Sequence, residues 1–351
     1  MLSELKIENF KGIEDSSGLK DFAKINLFIG KNDSGKSTIL EAAYYLFQEL
    51  YNPPRLSSIL SRRTNVFSGS SELWFDYKTG NPIVISATFQ NVRLDWRISV
   101  KQTPTEPIIS SSVFGGSRQL VLLGETQYRG RDFSMTVSSG KTLIDNLRED
   151  DKFKKYITKY ASGMSLIDCT LKSNTSEVES ILARFKRIPA QEKMIGEALG
   201  DIYGKGKVWE FVPQLEIPDQ KRLAFSEAGM RKYFSGFGDG LRYSVGILGS
   251  ALGTSDSALF IEEIESHQHS GSLRKLIKHL VSFSRVNNQQ IFLSTHIQDV
   301  WLSLHRGIYL EDVEKEQKEF RCFLVERDEK TGKVSAEQTD DVQKITRALE
   351  E

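Results

Sequence analysis

The chain has 351 residues, and its 47 Lys and Arg residues balance its 47 Asp and Glu residues, so the formal net charge is zero. This balance excludes a protein that binds nucleic acid by bulk basicity alone, although local basic patches stay open, and the length allows an ample core. The two cysteines, Cys169 and Cys322, lack metal-ligand spacing and lie in strand-like segments, which indicates buried thiols in a reducing compartment. There is no signal-type apolar core and no run near the roughly 20 apolar residues of a membrane span, so we expect a cytoplasmic protein with no membrane partner.

A phosphate-binding loop is the strongest motif. The apolar run 25–29 suits a buried strand, and apolar residues three and four apart after residue 38 predict a helix to residue 50. Between them, Gly30 and Gly35 permit the close backbone approach that a triphosphate requires, Lys36 is expected to reach the β and γ oxygens, and the Ser37 hydroxyl to ligate Mg²⁺. The residues expected to contact the nucleotide are Gly30, Lys31, Asn32, Asp33, Ser34, Gly35, Lys36, Ser37 and Thr38.

The middle of the chain is less informative. Residues 81–140 contain several runs with strand composition, including 83–89 and 92–98, and we predict an antiparallel β section there. Residues 141–225 carry no catalytic motif and are interpreted as a helical or insertion lobe: the pattern is helical from 141 to about 199, with a candidate strand at 164–171 between two helical groups, and extended from 208 to 225. Residues 1–80 and 226–351 are then the nucleotide-binding core of a single head that spans 1–351.

Two adjacent carboxylates follow the apolar strand predicted at 258–261. In P-loop ATPases the first acid at such a strand end holds Mg²⁺, usually through water, and the second polarises the attacking water. Neighbouring residues at a strand end point to opposite sides, so Glu262 is predicted as the metal residue and Glu263 as the general base. The alternative is a strand that simply ends in solvated acids.

Two further motifs lie in the last third of the chain. A glycine-rich loop, Gly238-Asp239-Gly240, leads into a helix and is a potential phosphate site, although a plain helix N-cap at Asp239 explains it nearly as well. The apolar strand predicted at 290–295 ends before His296, which is well placed to sense a γ-phosphate. A loop histidine without function is the alternative.

In this order the motifs resemble those of the ABC-type ATPase heads of the SMC, RecF and OLD (overcoming lysogenization defect) group, and most nearly the OLD-like AAA ATPases. Residues 5–13 look like the opening strand motif, 30–38 like Walker A, 259–263 like Walker B, and Ser294-Thr295-His296 like the switch-histidine loop. The resemblance implies an α/β P-loop NTPase with a mixed central sheet, ATP and Mg²⁺ as cofactors, and a site that uses Lys36, Glu263 and His296 in catalysis. Lys11, in the turn after the first predicted strand, is a further candidate for a nucleotide contact, and a solvated lysine is the alternative.

Two departures from the family pattern shape the expected function. Asp239 replaces a hydroxyl in the signature loop, 238–240, where a partner subunit's γ-phosphate would lie, and a carboxylate facing a phosphate is unfavourable unless Mg²⁺ or a base intervenes. The stretch after His296 is too short for the TOPRIM nuclease domain of full OLD nucleases, so we expect control of a separate effector protein, such as a nuclease or toxin, or of DNA.

The resulting hypothesis is an ATP-hydrolysing head that closes as a head-to-tail dimer around Mg-ATP, plausibly in antiphage defence. One alternative is an ATP-dependent scaffold of low turnover that restrains a toxin or nuclease. Another is a RecF-like DNA-repair ATPase with a basic face, for which the candidate residues are Arg55, Arg62, Arg63, Arg184 and Lys186.

Overall fold

The computed structural model describes residues 1–51, 73–102, 107–115, 122–129, 134–137, 152–168, 181, 189–204, 208–213, 221–227, 230–233, 236–308 and 319–350. The five basic residues proposed for a DNA-binding face, and Cys169, lie outside these residues. The chain divides into two compact units, Met1–Ser162 with Arg321–Glu351, and Gly163–Phe320.

In chain order the strands and helices are β1 (Leu2–Phe10), β2 (Ile13–Ser17), β3 (Ile25–Ile29), α1 (Lys36–Tyr51), β4 (Ile83–Phe89), β5 (Val92–Gln102), β6 (Pro107–Gly115), β7 (Leu122–Arg129), β8 (Ser134–Val137), α2 (Lys152–Ser162), β9 (Ser165–Ile167), α3 (Pro189–Tyr203), β10 (Val208–Pro213), β11 (Lys221–Glu227), β12 (Met230–Tyr233), α4 (Asp239–Gly253), β13 (Ala258–Ile261), α5 (Ser270–Val286), β14 (Gln290–Thr295), α6 (Gln298–Ile308), β15 (Phe320–Arg327), β16 (Lys333–Gln338) and α7 (Val342–Glu350).

The first unit is built on a mixed sheet. Its strands lie in the order β8-β7-β6-β5-β4-β1-β2-β16-β15-β3. Neighbours from β8 to β2 pair antiparallel, as do β15 and β16, whereas β16 pairs with β2 in parallel. All five residues of β3 are buried; four are apolar, and the side chain of the fifth, Asn26, is hydrogen-bonded to the backbone of Ala23. This strand leads directly into the phosphate-binding loop.

An aromatic cluster fixes the helices of the first unit against its sheet. Phe47 on α1 lies 5.2 Å, centroid to centroid, from Tyr160 on α2, and Tyr160 lies 4.7 Å from Phe89 at the end of β4. All three side chains are buried. Such offset and edge-on aromatic contacts add stability beyond the area that they bury. The position of α1, and so of the loop before it, depends on this packing.

The second unit has a parallel core. Strands β9, β13 and β14 lie side by side in that order and pair in parallel, and the rings of Phe260 and Phe292 stack across β13 and β14 at 4.9 Å. Helices α3 and α4 pack on α5, which also contacts α6. Strands β10, β11 and β12 form a separate antiparallel sheet. Among the described residues, no helix is long and apolar enough to span a membrane.

The middle of the chain holds strands and helices where the sequence pattern indicates them. The described part of 81–140 holds β4 to β8, whose pairings are antiparallel. The described part of 141–225, interpreted as a helical or insertion lobe, holds α2 and α3 together with β9, β10 and most of β11. Strand β9 joins the parallel core of the second unit.

The turn between β1 and β2 is fastened to α1 by an ion pair. The Lys11 ammonium contacts the Glu41 carboxylate, and the two side chains are 21% and 3% exposed. Removing one partner of a buried pair leaves the other charge without compensation, which costs more than the intact pair contributes.

We expect Glu41→Ala to lower the free energy of unfolding by about 2–3 kcal/mol because it leaves the Lys11 ammonium in a poorly solvated position. The matched control is Glu337→Ala, which breaks an exposed pair with Lys344 and should cost less than about 1 kcal/mol. Urea unfolding of both variants gives the comparison. Equal losses for the two variants would show that the Lys11 pair is not a buried contact.

Candidate functional site

The phosphate-binding loop requires glycine at two positions for different reasons. A Cβ on Gly30 would lie 2.3 Å from the carbonyl oxygen of Val325 on β15, so a side chain there cannot fit without moving the backbone. Gly35 has a φ of +99°, which L residues with a side chain rarely adopt. The loop therefore passes close against β15 at its start and turns sharply into α1 at its end.

Lys36 is folded back into its own loop. Its Nζ donates to the carbonyl oxygens of Gly30, at 2.8 Å, and Lys31, and lies 3.3 Å from the Ser34 hydroxyl oxygen. The residue is only 7% exposed, so these oxygens replace the water that a buried ammonium would otherwise lose. The arrangement holds a positive charge at the centre of the loop, at the first residue of α1.

The start of α1 adds a second source of positive potential. The amide groups in the first turn of a helix have no partner within the helix, and the helix dipole favours an anion there. Ser37 and Thr38 lie half-buried in this first turn, whereas Lys31, Asn32 and Asp33 are exposed at the tip of the loop. A polyanion of the triphosphate class fits this combination of ammonium, helix N-terminus and close-packed glycines.

A cavity of about 400 Å³ borders the loop. The loop supplies one side and the other includes β15 residues and Ala348 of α7. Arg327, at the end of β15, places Nη1 3.1 Å from Oδ2 of Asp33, so the tip of the loop is tied to this strand. The sequence analysis did not assign β15 to the site. The apolar run before Arg327 predicts a strand, but it does not predict that this strand lies beside the phosphate-binding loop.

Lys11, expected near the nucleotide, contacts Glu41 with its ammonium. Glu41 belongs to the buried side of α1. Lys11 therefore links the β1–β2 turn to the helix that follows the loop.

In the second unit, the two adjacent acids at the end of β13 have different environments. Glu262 is 9% exposed, its N–H donates to the Ile167 carbonyl at 2.8 Å, and its own carbonyl accepts from the Tyr243 hydroxyl. Glu263 is more exposed and has a φ of +48°. Its N–H donates to the Ser294 hydroxyl oxygen at 3.1 Å. The chain thus turns between the two acids, which sends their side chains into different surroundings.

His296 lies directly after β14 and is engaged by a third acid. Oε1 of Glu265 accepts hydrogen bonds from the Thr295 hydroxyl, at 2.8 Å, and from the His296 N–H, at 3.0 Å, and it lies 3.1 Å from His296 Nδ1. Burial raises the pKa of the Glu265 carboxyl, and these contacts partly oppose the rise. Glu265 was not among the site residues predicted from the sequence.

The signature loop lies at the N-terminus of α4. The N-cap is Gly238, so Asp239 is the first helical residue and not the cap. Its carboxylate lies 3.5 Å from Nη2 of Arg242, one turn along the helix. The base that can offset the negative charge of Asp239 is therefore supplied by α4 itself.

Gly240 ties the signature loop to the loop after β13. A Cβ on Gly240 would lie 2.4 Å from the His267 carbonyl oxygen. The Gly240 carbonyl accepts from Nε2 of Gln268, at 2.8 Å, and from the Tyr203 hydroxyl, at 2.9 Å. Tyr203, on α3, also contacts Oε1 of Gln268 and the Ser244 hydroxyl. Tyr203 and Gln268 were not foreseen, since no local pattern marks a tyrosine 37 residues before its partner.

The sequence-predicted residues thus fall into two groups. The first unit brings together Lys11 and residues 30–38, and the second brings together the signature loop, the acids after β13 and His296. Within the described residues no cluster of His, Cys, Asp and Glu is arranged to hold a metal ion on its own. Mg²⁺ in nucleotide sites takes few protein ligands and completes its shell with phosphate and water, so the Mg²⁺ donors predicted from the sequence do not require such a cluster.

Three comparisons relate the chain to known proteins. It is 21% identical to a protein named ATP/GTP phosphatase from Helicobacter pylori (strain ATCC 700392 / 26695) over 91% of this chain and 92% of that protein. It is similar to a solved Smc head bound to the C-winged helix domain of ScpA, with 15% identity, a TM-score of 0.61, and coverage of 98% of this chain and 99% of that one. A Smc head domain with an extended coiled coil, bound to the C-terminal domain of ScpA derived from Pyrococcus furiosus, gives 11% identity, a TM-score of 0.57 and coverage of 99% and 98%.

These similarities confirm the predicted fold class, a mixed α/β P-loop ATPase fold of the type seen in Smc heads. The family model described as AAA ATPase domain matches residues 1–197, which is more than half of the chain. The protein therefore belongs to the AAA ATPase domain family.

Proposed function

We propose that the chain binds and hydrolyses ATP as a head that closes head to tail with a second copy around Mg-ATP, and that this closure controls a separate effector protein or DNA. The observation that carries the proposal is the loop 30–37, which holds the Lys36 ammonium among its own carbonyl oxygens at the N-terminus of α1. This is a site for a polyanion, and the family match supports ATP as that polyanion.

In the first unit, the proposal gives the backbone of 30–38 and Lys36 the task of binding the phosphates. Lys36 exchanges its contacts with loop carbonyls for phosphate oxygens, because an ammonium–phosphate contact is stronger than an ammonium–carbonyl contact. Ser37 in this unit and Glu262 in the second unit are the residues proposed as Mg²⁺ donors, and the ion would supply positive charge that offsets the charge of the phosphates. The cavity beside the loop leaves room for the nucleotide to approach.

In the second unit, the proposal makes Glu263 the general base that orients the attacking water. Its greater exposure and fixed backbone suit a residue that must reach a ligand, whereas buried Glu262 suits a metal donor. His296 senses the γ-phosphate. The signature loop of one copy contacts the nucleotide held by the other, so ATP favours the closed dimer and hydrolysis releases it.

The likeness to OLD-like ATPases supports an effector, plausibly in antiphage defence. The two solved Smc heads are each bound to a domain of a second protein, ScpA. By analogy, we propose that this chain also presents a surface to a protein partner.

A second candidate is a scaffold that closes on ATP but hydrolyses it slowly, and Asp239 favours this alternative. Its carboxylate stands where a hydroxyl would face the partner's γ-phosphate, and Arg242, at 3.5 Å, offsets only part of its charge. Turnover measured with and without duplex DNA separates this scaffold from a RecF-like repair ATPase, for which DNA should stimulate hydrolysis.

Lys36→Ala should lower kcat/KM for ATP by about 100-fold or more, because it removes the positive charge at the centre of the loop. Lys155→Ala, which removes an exposed lysine from α2, is the matched control and should leave kcat/KM within about twofold. Steady-state hydrolysis and nucleotide binding by the two variants test the site. Unchanged binding and turnover in Lys36→Ala would exclude the loop as the ATP site.

Glu263→Gln should lower kcat by about 100-fold while ATP still binds, and should accumulate an ATP-dependent dimer, because the closed state no longer resets by hydrolysis. Light scattering with and without ATP measures the mass. Glu197→Gln, on the exposed part of α3, is the control and should behave as wild type. If Glu263→Gln hydrolyses ATP at the wild-type rate, another residue is the base.

Asp239→Ser should raise kcat by about tenfold if the Asp239 carboxylate restrains hydrolysis, which corresponds to about 1.4 kcal/mol of transition-state stabilisation. Asp239→Glu keeps the charge and should not raise it. Turnover at saturating ATP is the measurement. A Ser variant as slow as wild type would remove the physical basis of the scaffold alternative.

A further inference from the structure

Glu265 is the most buried of the three acids that follow β13, and its side chain is hydrogen-bonded to the end of β14. The side chain is 6% exposed, and its Oε1 accepts from the Thr295 hydroxyl and from the His296 N–H. Thr295 is fully buried, while the His296 side chain is 40% exposed. A single oxygen of Glu265, Oε1, therefore contacts both Thr295 and His296 at the end of β14, and the His296 imidazole beside it is partly exposed to solvent.

The loop that carries Glu265 is itself held against β14. The N–H of Glu263 donates to the Ser294 hydroxyl oxygen, and the N–H of Ile264 donates to the Ser294 carbonyl at 3.4 Å. Ile264 is fully buried, and the Glu265 carbonyl accepts from the Gln268 N–H at 3.0 Å. The backbone on both sides of Glu265 is thus anchored, which fixes where its carboxyl group lies.

The contacts of Glu265 Oε1 determine whether the neighbouring imidazole nitrogen, His296 Nδ1, carries a proton. An oxygen that already accepts from a hydroxyl and an amide is an acceptor, whether or not the carboxyl carries a proton on Oε2. His296 Nδ1 lies 3.1 Å from it. Two lone pairs at this separation repel, whereas the positive end of an N–H dipole at Nδ1 is attracted to the carboxyl oxygen, so the contact favours a proton on Nδ1.

We propose that Glu265 is a positioning residue that holds His296 with its proton on Nδ1 and thereby leaves Nε2 as the nitrogen that meets the ligand. In this tautomer Nε2 carries the lone pair and can accept a hydrogen bond from a donor at the γ-phosphate, such as the attacking water. The inference rests on the proposed role of His296 as γ-phosphate sensor. It gives the third acid after β13 a task distinct from those of Glu262 and Glu263.

The direct test is the tautomer of His296 in the full-length protein without nucleotide. The chain has five histidines, so long-range ¹H–¹⁵N spectra of ¹⁵N-histidine-labelled protein are tractable, and His296→Gln identifies the signals. At a pH where titration shows the ring to be neutral, we expect the Nδ1–H pattern. Wild-type His296 in the Nε2–H form overturns the proposal without any variant of Glu265.

Two variants of Glu265 distinguish a positioning role of its side chain from a purely structural role. Glu265→Gln keeps an acceptor at Oε1 and should retain the Nδ1–H form, while Glu265→Leu removes it and should release the ring to the Nε2–H form. Turnover should follow the tautomer: kcat falls about 10- to 100-fold in the Leu variant with KM for ATP within about twofold, and stays near wild type in the Gln variant. A Leu variant that keeps the Nδ1–H form contradicts the proposal.

The kinetic measurements distinguish failure of the positioning role of Glu265 from failure of the sensor role of His296. If the wild-type spectrum shows Nδ1–H but His296→Gln hydrolyses ATP normally, the positioning by Glu265 stands and the sensor role proposed for His296 fails. If His296→Gln is slow but the wild-type ring carries its proton on Nε2, the sensor role stands and Glu265 has no part in it. Glu197→Leu, at an exposed site on α3, is the control and should change neither readout.

Discussion

The buried ammonium of Lys36 is the constraint on which the first unit depends. A lysine that is 7% exposed needs acceptors, and the loop meets that need by turning its own Gly30 and Lys31 carbonyls inward. That curvature brings the start of the loop against the Val325 carbonyl, which only a residue without a Cβ allows. Strand β15 is therefore a wall of the site, although it is separated from the loop by most of the chain.

Local motifs explain why much of the candidate site was predictable. The apolar run of β3, the two glycines and the lysine are adjacent in sequence, as are the acids after β13, so spacing alone identified them. The contact between Asp33 and Arg327 joins residues 294 positions apart and leaves no local pattern. Strand β6 was missed because three consecutive serines, 110–112, conceal its strand character.

In the second unit as well, the sequence identified candidate residues but did not determine the role of each side chain. Three acids fall within four positions, 262–265, and composition cannot rank them. Their environments differ because the chain adopts a positive φ at Glu263 and because the Ser294 hydroxyl and backbone hold the loop to β14. The negative charge at Asp239 was predictable from the sequence. Its contact with Arg242 was not, because that contact depends on the helix beginning at Asp239 and not after it.

The close packing around Gly240 restricts how the signature loop can move. Its α-carbon leaves no space for a side chain beneath the His267 carbonyl, and Gln268 and Tyr203 bind the same peptide group from two directions. The first turn of α4 cannot advance towards this loop, and it cannot withdraw without breaking several hydrogen bonds at once. A displacement of the signature loop would therefore act on the loop that follows the acids after β13 through the contacts of the Gly240 peptide.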